Sequence, residues 1–372
     1  MLATGGNDQA IKLWSLGDRT EGATFRGHTG DVLALSFSRD ARTLTSCSRD
    51  GSVRFWDVSE DDSILGRHNS WVRSVAFSKH GVLASGSMDG SIKLWDVTGR
   101  REIATVGEPG GAMVCNLAFS PDGHTLASSH QDKKVRLWSV ETHKEIATLP
   151  VHGVGGWIFK LSFSPDSRTL AFGDAARNLI LWDLASHRVT ASIGEFKDDV
   201  RATAFSPDGK MIAAGDGNGM IALWNVPAAN LLWKRDQPHL GLMDLNFSPD
   251  GKLLATAGWD RLAKLWDVSN KSESVILKGH RGVVDTAAFS LDGNTVVTAS
   301  ADSTIKLWRV DMQREVGTLR GHTSPATTVA FSPDGTRLAT AGGDTTIRLW
   351  HVPSWEEIAA AAAKEKTEGQ QP

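Results

Sequence analysis

Five groups of residues in this chain could do chemistry by their types. They are His28, Ser46 and Asp50; His68, Ser85 and Asp89; His239, Thr256 and Asp260; His280, Thr298 and Asp302; and His322, Thr340 and Asp344. Each joins a hydroxyl, a base and a carboxylate, the set used by a nucleophilic hydrolase. Such a site needs one set, on one exposed hydroxyl. Five copies at matching intervals, each followed by a tryptophan (Trp56, Trp95, Trp266, Trp308 and Trp350), point to a repeated structural part instead. A buried indole N–H needs an acceptor, and each set supplies one.

Other chemistries find less support. No Gly-x-x-x-x-Gly-Lys phosphate loop occurs, and Gly215, Gly217 and Gly219 sit between two strands, where a hairpin turn accounts for them. Asp61-Asp62 and Asp198-Asp199 lack the spacing of a calcium loop, and no histidine pair has zinc spacing with the cysteines. Cys47 and Cys115 are too few for a disulfide framework and read as buried, inert thiols. No catalytic residue, metal or cofactor is expected. The 40 Lys and Arg against 43 Asp and Glu leave a net charge of −3, which argues against strong nucleic-acid binding. Mean hydropathy is −0.22 and no apolar run is long enough to span a membrane.

The elements that carry these residues repeat. Of 14 tryptophans in 372 residues, nine form a ladder with a step of about 42 residues: Trp14, Trp56, Trp95, Trp138, Trp182, Trp224, Trp266, Trp308 and Trp350. Phe37, Phe77, Phe119, Phe163, Phe205, Phe247, Phe289 and Phe331 form a second ladder, usually followed by Ser-Pro-Asp-Gly. Proline presets φ and glycine accepts positive φ, so this is a tight turn. Each unit reads as four short strands with short connections, hence antiparallel neighbours, and no helical pattern intervenes.

The sequence resembles the WD-repeat β-propeller family over residues 1 to about 353. Gly-His pairs stand at Gly27-His28, Gly279-His280 and Gly321-His322, and Trp-Asp pairs at Trp56-Asp57, Trp95-Asp96, Trp182-Asp183 and Trp266-Asp267. The resemblance implies an all-β propeller of four-stranded antiparallel blades, and a hydrogen-bonded set of His, Ser or Thr, Asp and Trp as blade fastener in the five sets above. Three units depart from that pattern. The unit ending in Trp138 keeps Ser128 and Asp132 but has the loop Gly107 to Gly111 in place of the histidine. The unit ending in Trp182 has Phe172 and Ala176, and that ending in Trp224 has Ala214 and Asn218, with Phe196 near the histidine position. These blades are expected to rest on packing and to be the softer part of the ring. The regular period and the Ser-Pro-Asp-Gly turns look like those of bacterial members.

Comparison of the units separates scaffold from variation. Positions five and two before each Phe are mostly apolar, whereas positions six and four before it vary; with the residue before each turn Asp, these varied positions should ring the channel mouth. They supply an apolar arc from Trp71, Met88, Met113, Trp157 and Phe159, and a charged arc from Asp199, Arg201 and Asp285, with Arg73 and Trp259 beside them. Exposed aromatic and methionine side chains on a rigid rim suit a protein or peptide partner.

Strand a is counted eight times and strands b and c nine, which predicts eight full repeats plus an N-terminal partial unit; a double propeller cut short at an internal methionine is the alternative. Residues 354–372, Ala-rich at Ala359 to Ala363 and polar from Lys364, are expected to form a disordered extension. Met1 to Gly5 reads as strand and turn, not as a secretory leader, so a cytoplasmic location is expected. The functional expectation is a non-catalytic scaffold for protein–protein interaction; the alternative is the C-terminal sensing or targeting part of a larger, kinase-like signalling enzyme.

Overall fold

A computed structural model describes residues 2–14, 21–26, 28–37, 43–57, 63–149, 158–174, 176–194, 196–226, 228–237 and 241–352. Trp157, His239 and the expected extension 354–372 lie outside the described residues, as do the side chains of Trp14 and Trp56. The described chain is all β, in two compact units, 1–63 and 64–372, within the span read from sequence as one run of repeats.

The first unit holds two three-stranded sheets: Leu2–Gly5, Ala10–Trp14 and Glu21–Arg26, then Val32–Phe37, Thr43–Ser48 and Val53–Asp57. Ile11, Val32 and Leu44 bury the seam between the two sheets.

The second unit is a closed ring of seven four-stranded sheets. Blade 1 comprises Val72–Phe77, Val82–Ser87, Ser91–Asp96 and Arg101–Gly107, in that order from channel to rim. Blades 2 to 6 repeat the meander over 114–149, 161–193, 200–236, 242–278 and 284–320. Blade 7 takes Ala326–Phe331, Arg337–Gly342 and Thr346–His351 from the end of the chain, and its outer strand, Ile64–Arg67, from the start of the unit. This placement sets the ring at seven blades. Ile64–Arg67 follows Val53–Asp57 in sequence, where the repeat pattern makes it the fourth strand of that sheet. It pairs instead with Thr346–His351, Thr346 opposite Arg67, and so ties the two ends of the ring together. Backbone hydrogen bonds carry no side-chain identity, so an outer strand can close whichever free edge it reaches.

Blades pack face to face through the residues that the Phe and Trp ladders select. Leu161, Phe163, Leu170, Phe172 and Trp182 of blade 3 meet Leu137 and Leu149 of blade 2, and equivalent clusters join each pair of neighbours. Around the channel, inner strands are stitched by side chain to backbone. Leu117 N donates to Ser74 Oγ (3.0 Å), Leu161 N to Asn116 Oδ1 (3.0 Å), Ala287 N to Asp244 Oδ2 (3.2 Å) and Val75 N to Thr328 Oγ1 (3.3 Å), the last joining blade 7 to blade 1.

Candidate functional site at the channel mouth

The hydroxyl–histidine–carboxylate sets form relays in which the hydroxyl is sealed inside the blade. In blade 6, Trp308 Nε1 donates to Thr298 Oγ1 (2.8 Å), Thr298 lies 2.7 Å from His280 Nε2, and His280 Nδ1 lies 3.0 Å from Asp302. An indole N–H can only donate, so the threonine hydroxyl passes its own hydrogen to Nε2, and Nδ1–H donates to the carboxylate. Blade 7 repeats the relay with Trp350, Thr340, His322 and Asp344 at 2.8, 2.8 and 2.9 Å. In blade 1, Trp95 donates to Ser85 (2.8 Å) and Ser85 meets His68 (2.7 Å), but His68 Nδ1 faces Ser91 Oγ at 2.9 Å, with Asp89 at 3.6 Å. In the first unit, His28 lies 2.7 Å from Ser46 and 2.9 Å from Asp50. In blade 5, Trp266 donates to Thr256 (2.9 Å), and Asp260 pairs with Lys264 (2.9 Å).

The electrostatics match a structural role. Burial pulls the His68 pKa down to about 4 and also depresses His280, so both stay neutral. Burial pushes Asp302 up, but bonds from Thr304, the Arg281 N–H and His280 outweigh it and hold the carboxyl at about 2. Thr298, Thr340, Thr256 and Ser85 are fully buried, out of reach of any substrate.

The departing blades use a further position, two residues beyond the Ser or Thr site, at the end of the same strand or just past it. In blade 2 that residue is His130, whose Nε2 meets Ser128 Oγ (2.8 Å) while Trp138 donates to the same oxygen (2.7 Å). In blade 3 it is Asp174, which accepts from Ala176 N (2.9 Å) and Asn178 N (2.8 Å). In blade 4 it is Asp216, fully buried, which accepts from the backbone N–H groups of Lys197, Asp198, Asn218 and Met220. Phe196 packs against Trp224 with ring centroids 5.6 Å apart. Trp182 Nε1 is buried with no partner among the described residues, as Phe172 can offer none.

The mouth of the channel is shaped by one recurring irregularity. In six blades the pairing of the two inner strands skips one residue: Arg73, Cys115, Arg201, Met243, Asp285 and Thr327. Each stands four before its ladder Phe. A bulge of this kind frees a residue from the ladder and re-aims its side chain. With Phe159, at the same position in blade 3, all six line a central cavity of about 490 Å³. The signal was present in sequence: buried positions five and two before each Phe are three apart, which an unbroken strand of period two cannot place on one face.

Two clusters occupy the rim. Trp71, Met88, Met113, Arg73 and Cys115 line a hollow of about 320 Å³. Trp71 is 42% exposed and its ring lies over Gly343 of blade 7, where a Cβ would stand 3.1 Å from Cε2. Across the mouth, Arg201 stands 5.2 Å from the Phe159 ring and 4.9 Å from the Trp259 ring, and Trp259, 54% exposed, donates to Met243 Sδ (3.1 Å). Trp71 and Trp259 thus fall into separate clusters. Asp199 lies in the turn before the inner strand of blade 4, partly buried, its carbonyl accepting from Gly217 N (3.1 Å). Deeper in the channel, Lys160 and Asp244 form an ion pair that reaches past blade 4, and Thr286 donates to the same carboxylate (2.6 Å). Burial lifts Asp285 to about 6, with Arg73 pulling it down and Asp244 pushing it up; burial also raises the Cys115 thiol to about 11. Met243 stands at one of the varied positions expected at the mouth, whereas Lys160 and Asp244 were not singled out from sequence, because they are 84 residues apart along the chain.

The family model for the IFT122 first beta-propeller matches residues 1–234, and that for the WD domain, G-beta repeat, matches 234–267, 271–309 and 313–351. The chain belongs to the WD-repeat β-propeller family. Its relatives include periodic tryptophan protein 2 of Arabidopsis thaliana, 46% identical over 57 residues, covering 15% of this chain and 6% of the relative. Pre-mRNA-processing factor 19 homolog 2 of the same plant is 33% identical over 81 residues, 22% of this chain and 15% of the relative. WD repeat and HMG-box DNA-binding protein 1 of human is 42% identical over 59 residues, 16% and 5%. The chain therefore spans less than a fifth of the length of each of these relatives. All three are eukaryotic, so the bacterial likeness expected from the turns has no support in them.

Proposed function

We propose that this WD-repeat chain is a non-catalytic scaffold that holds a protein or peptide segment across the mouth of its seven-bladed ring. The observation that carries the reading is the apolar hollow beneath the exposed Trp71, lined by Met88 and Met113, beside an open channel. Large apolar side chains on a rigid rim lose little entropy on binding and give well-packed anchors. Phe159, Arg201 and Trp259 form the opposite lip, with Asp199 in the turn before the Arg201 strand and Asp285 lining the channel. WD-repeat propellers commonly serve as protein-interaction scaffolds, which agrees with this use of the mouth. The test is selection of a phage-displayed peptide library on the full chain, followed by titration of the enriched peptides. Trp71→Ala with Met88→Ala should weaken binding by roughly tenfold or more, with the unfolding midpoint little changed. Equal affinity for the variant would defeat the proposal.

A further inference from the structure

We infer that the mouth selects a segment in which a carboxylate side chain stands beside an apolar one, the carboxylate taken by Arg73 and Arg201 and the apolar group by the hollow under Trp71. The inference deepens the scaffold reading above and rests on it.

The charge balance of the mouth carries the argument. Six bulges and Phe159 bring seven side chains around one cavity, two of them arginines and one an acid. Arg73 has no hydrogen bond or salt bridge among the described residues; Asp285 is the acid whose field it shares. Asp285 forms no salt bridge with Arg73 within 4.0 Å, so the N–H groups of that guanidinium stay open to a ligand. Arg201 has its guanidinium against Phe159 and Trp259, a long contact of 3.6 Å to Met243 Sδ, and a buried Nε that lacks a partner. Asp198 approaches the same face of Gly217, its Oδ2 2.5 Å and Arg201 Nε 2.7 Å from where a Cβ would stand, but the two make no salt bridge within 4.0 Å. The remaining cation facing the cavity, Lys160, is neutralised by Asp244.

Aromatic rings against a guanidinium hold its plane and leave its N–H edge to meet an anion, and planar donors suit a carboxylate. A basic side chain entering the same cavity would meet two guanidiniums that make no salt bridge. Arg73 also lines the hollow with Trp71, Met88 and Met113, which sets the acidic and apolar groups of the ligand side by side.

The probe is a set of random peptides displayed on phage and selected on the full chain, with hits synthesised in acidic and amide forms. The expected outcome is enrichment of Asp or Glu next to Leu, Ile, Met or Phe. Replacing that acid by its amide, or making Arg201→Gln or Arg73→Gln, should weaken binding roughly tenfold, and added salt should weaken it further. The amide peptides test the charge contact even if an arginine variant fails to fold. Enriched peptides that lack acids but still need Trp71 would overturn this inference and leave the scaffold reading standing. A library with no enrichment would overturn both.

Discussion

Blades 1, 6 and 7 and blades 2, 3 and 4 perform the same structural task with different residues. The first group runs a relay from tryptophan through Ser or Thr to histidine, ending in an aspartate that also holds the turn, reached in blade 1 through Ser91. In the second group, blade 2 has a Gly-rich loop and blade 4 has Phe196 near the histidine position before the inner strand, and blades 3 and 4 lack the hydroxyl. What they share is the accounting of buried polar groups. His130 reaches Ser128 from the strand itself, and Asp174 and Asp216 take the turn N–H groups that Asp302 and Asp344 take elsewhere. The lesson is that a buried donor or turn N–H can be satisfied from either of two positions. Where neither offers one to the indole, as at Trp182, apolar packing around Phe172 carries the blade.

This comparison can be broken at several points. Trp308→Ala removes a buried ring and orphans Thr298; it should cost about 3–5 kcal/mol in urea denaturation, and a loss below about 1 kcal/mol would contradict the fastener role. Asp216→Ala strips four backbone N–H groups of their acceptor and should cost about 2–3 kcal/mol by the same measurement, with Asp216→Asn recovering part of it. A result near zero would mean that the blade 4 turn does not depend on that carboxylate.

A smaller effect separates the two groups most sharply. Trp308→Phe leaves a buried threonine without its donor and should cost about 1–2 kcal/mol more than Trp182→Phe, which loses no hydrogen bond. Equal costs would show that the relay adds nothing beyond packing.

The smallest effect concerns the mouth. Asp285 is raised in the folded state, so it binds its proton more tightly than the unfolded chain does. Stability from this group is fullest below the unfolded value near 4 and falls as pH rises through about 6. Asp285→Asn should therefore stabilise the chain by about 1 kcal/mol at pH 8, with no gain at pH 4. Thermal melts at the two pH values check this, and a variant less stable at pH 8 would mean that the ionised carboxylate is needed by Arg73.

Much of this was legible in sequence because it is local. The strands, the Pro-Asp-Gly turns and the pairing of Trp308 with Thr298 ten residues away depend on neighbouring strands of one hairpin, whose register follows from residue spacing. The rim residues Trp71, Met88 and Met113 could be named because the repeats vary at those places. Their grouping could not: Trp259 sits with Arg201 and Phe159, apart from Trp71.

By itself, then, the amino-acid sequence determined the blade: four strands, their turns, a ladder of tryptophans and the hydroxyls that receive them. Tertiary structure alone decided the number of blades in the ring, because the outer strand Ile64–Arg67 had two edges to choose from and backbone hydrogen bonds do not distinguish between them. It also decided the channel. Lys160 and Asp244 are brought together, and Arg73 and Arg201 left without a salt bridge, only once the ring has closed, since the charges that face one another there are many residues apart in sequence.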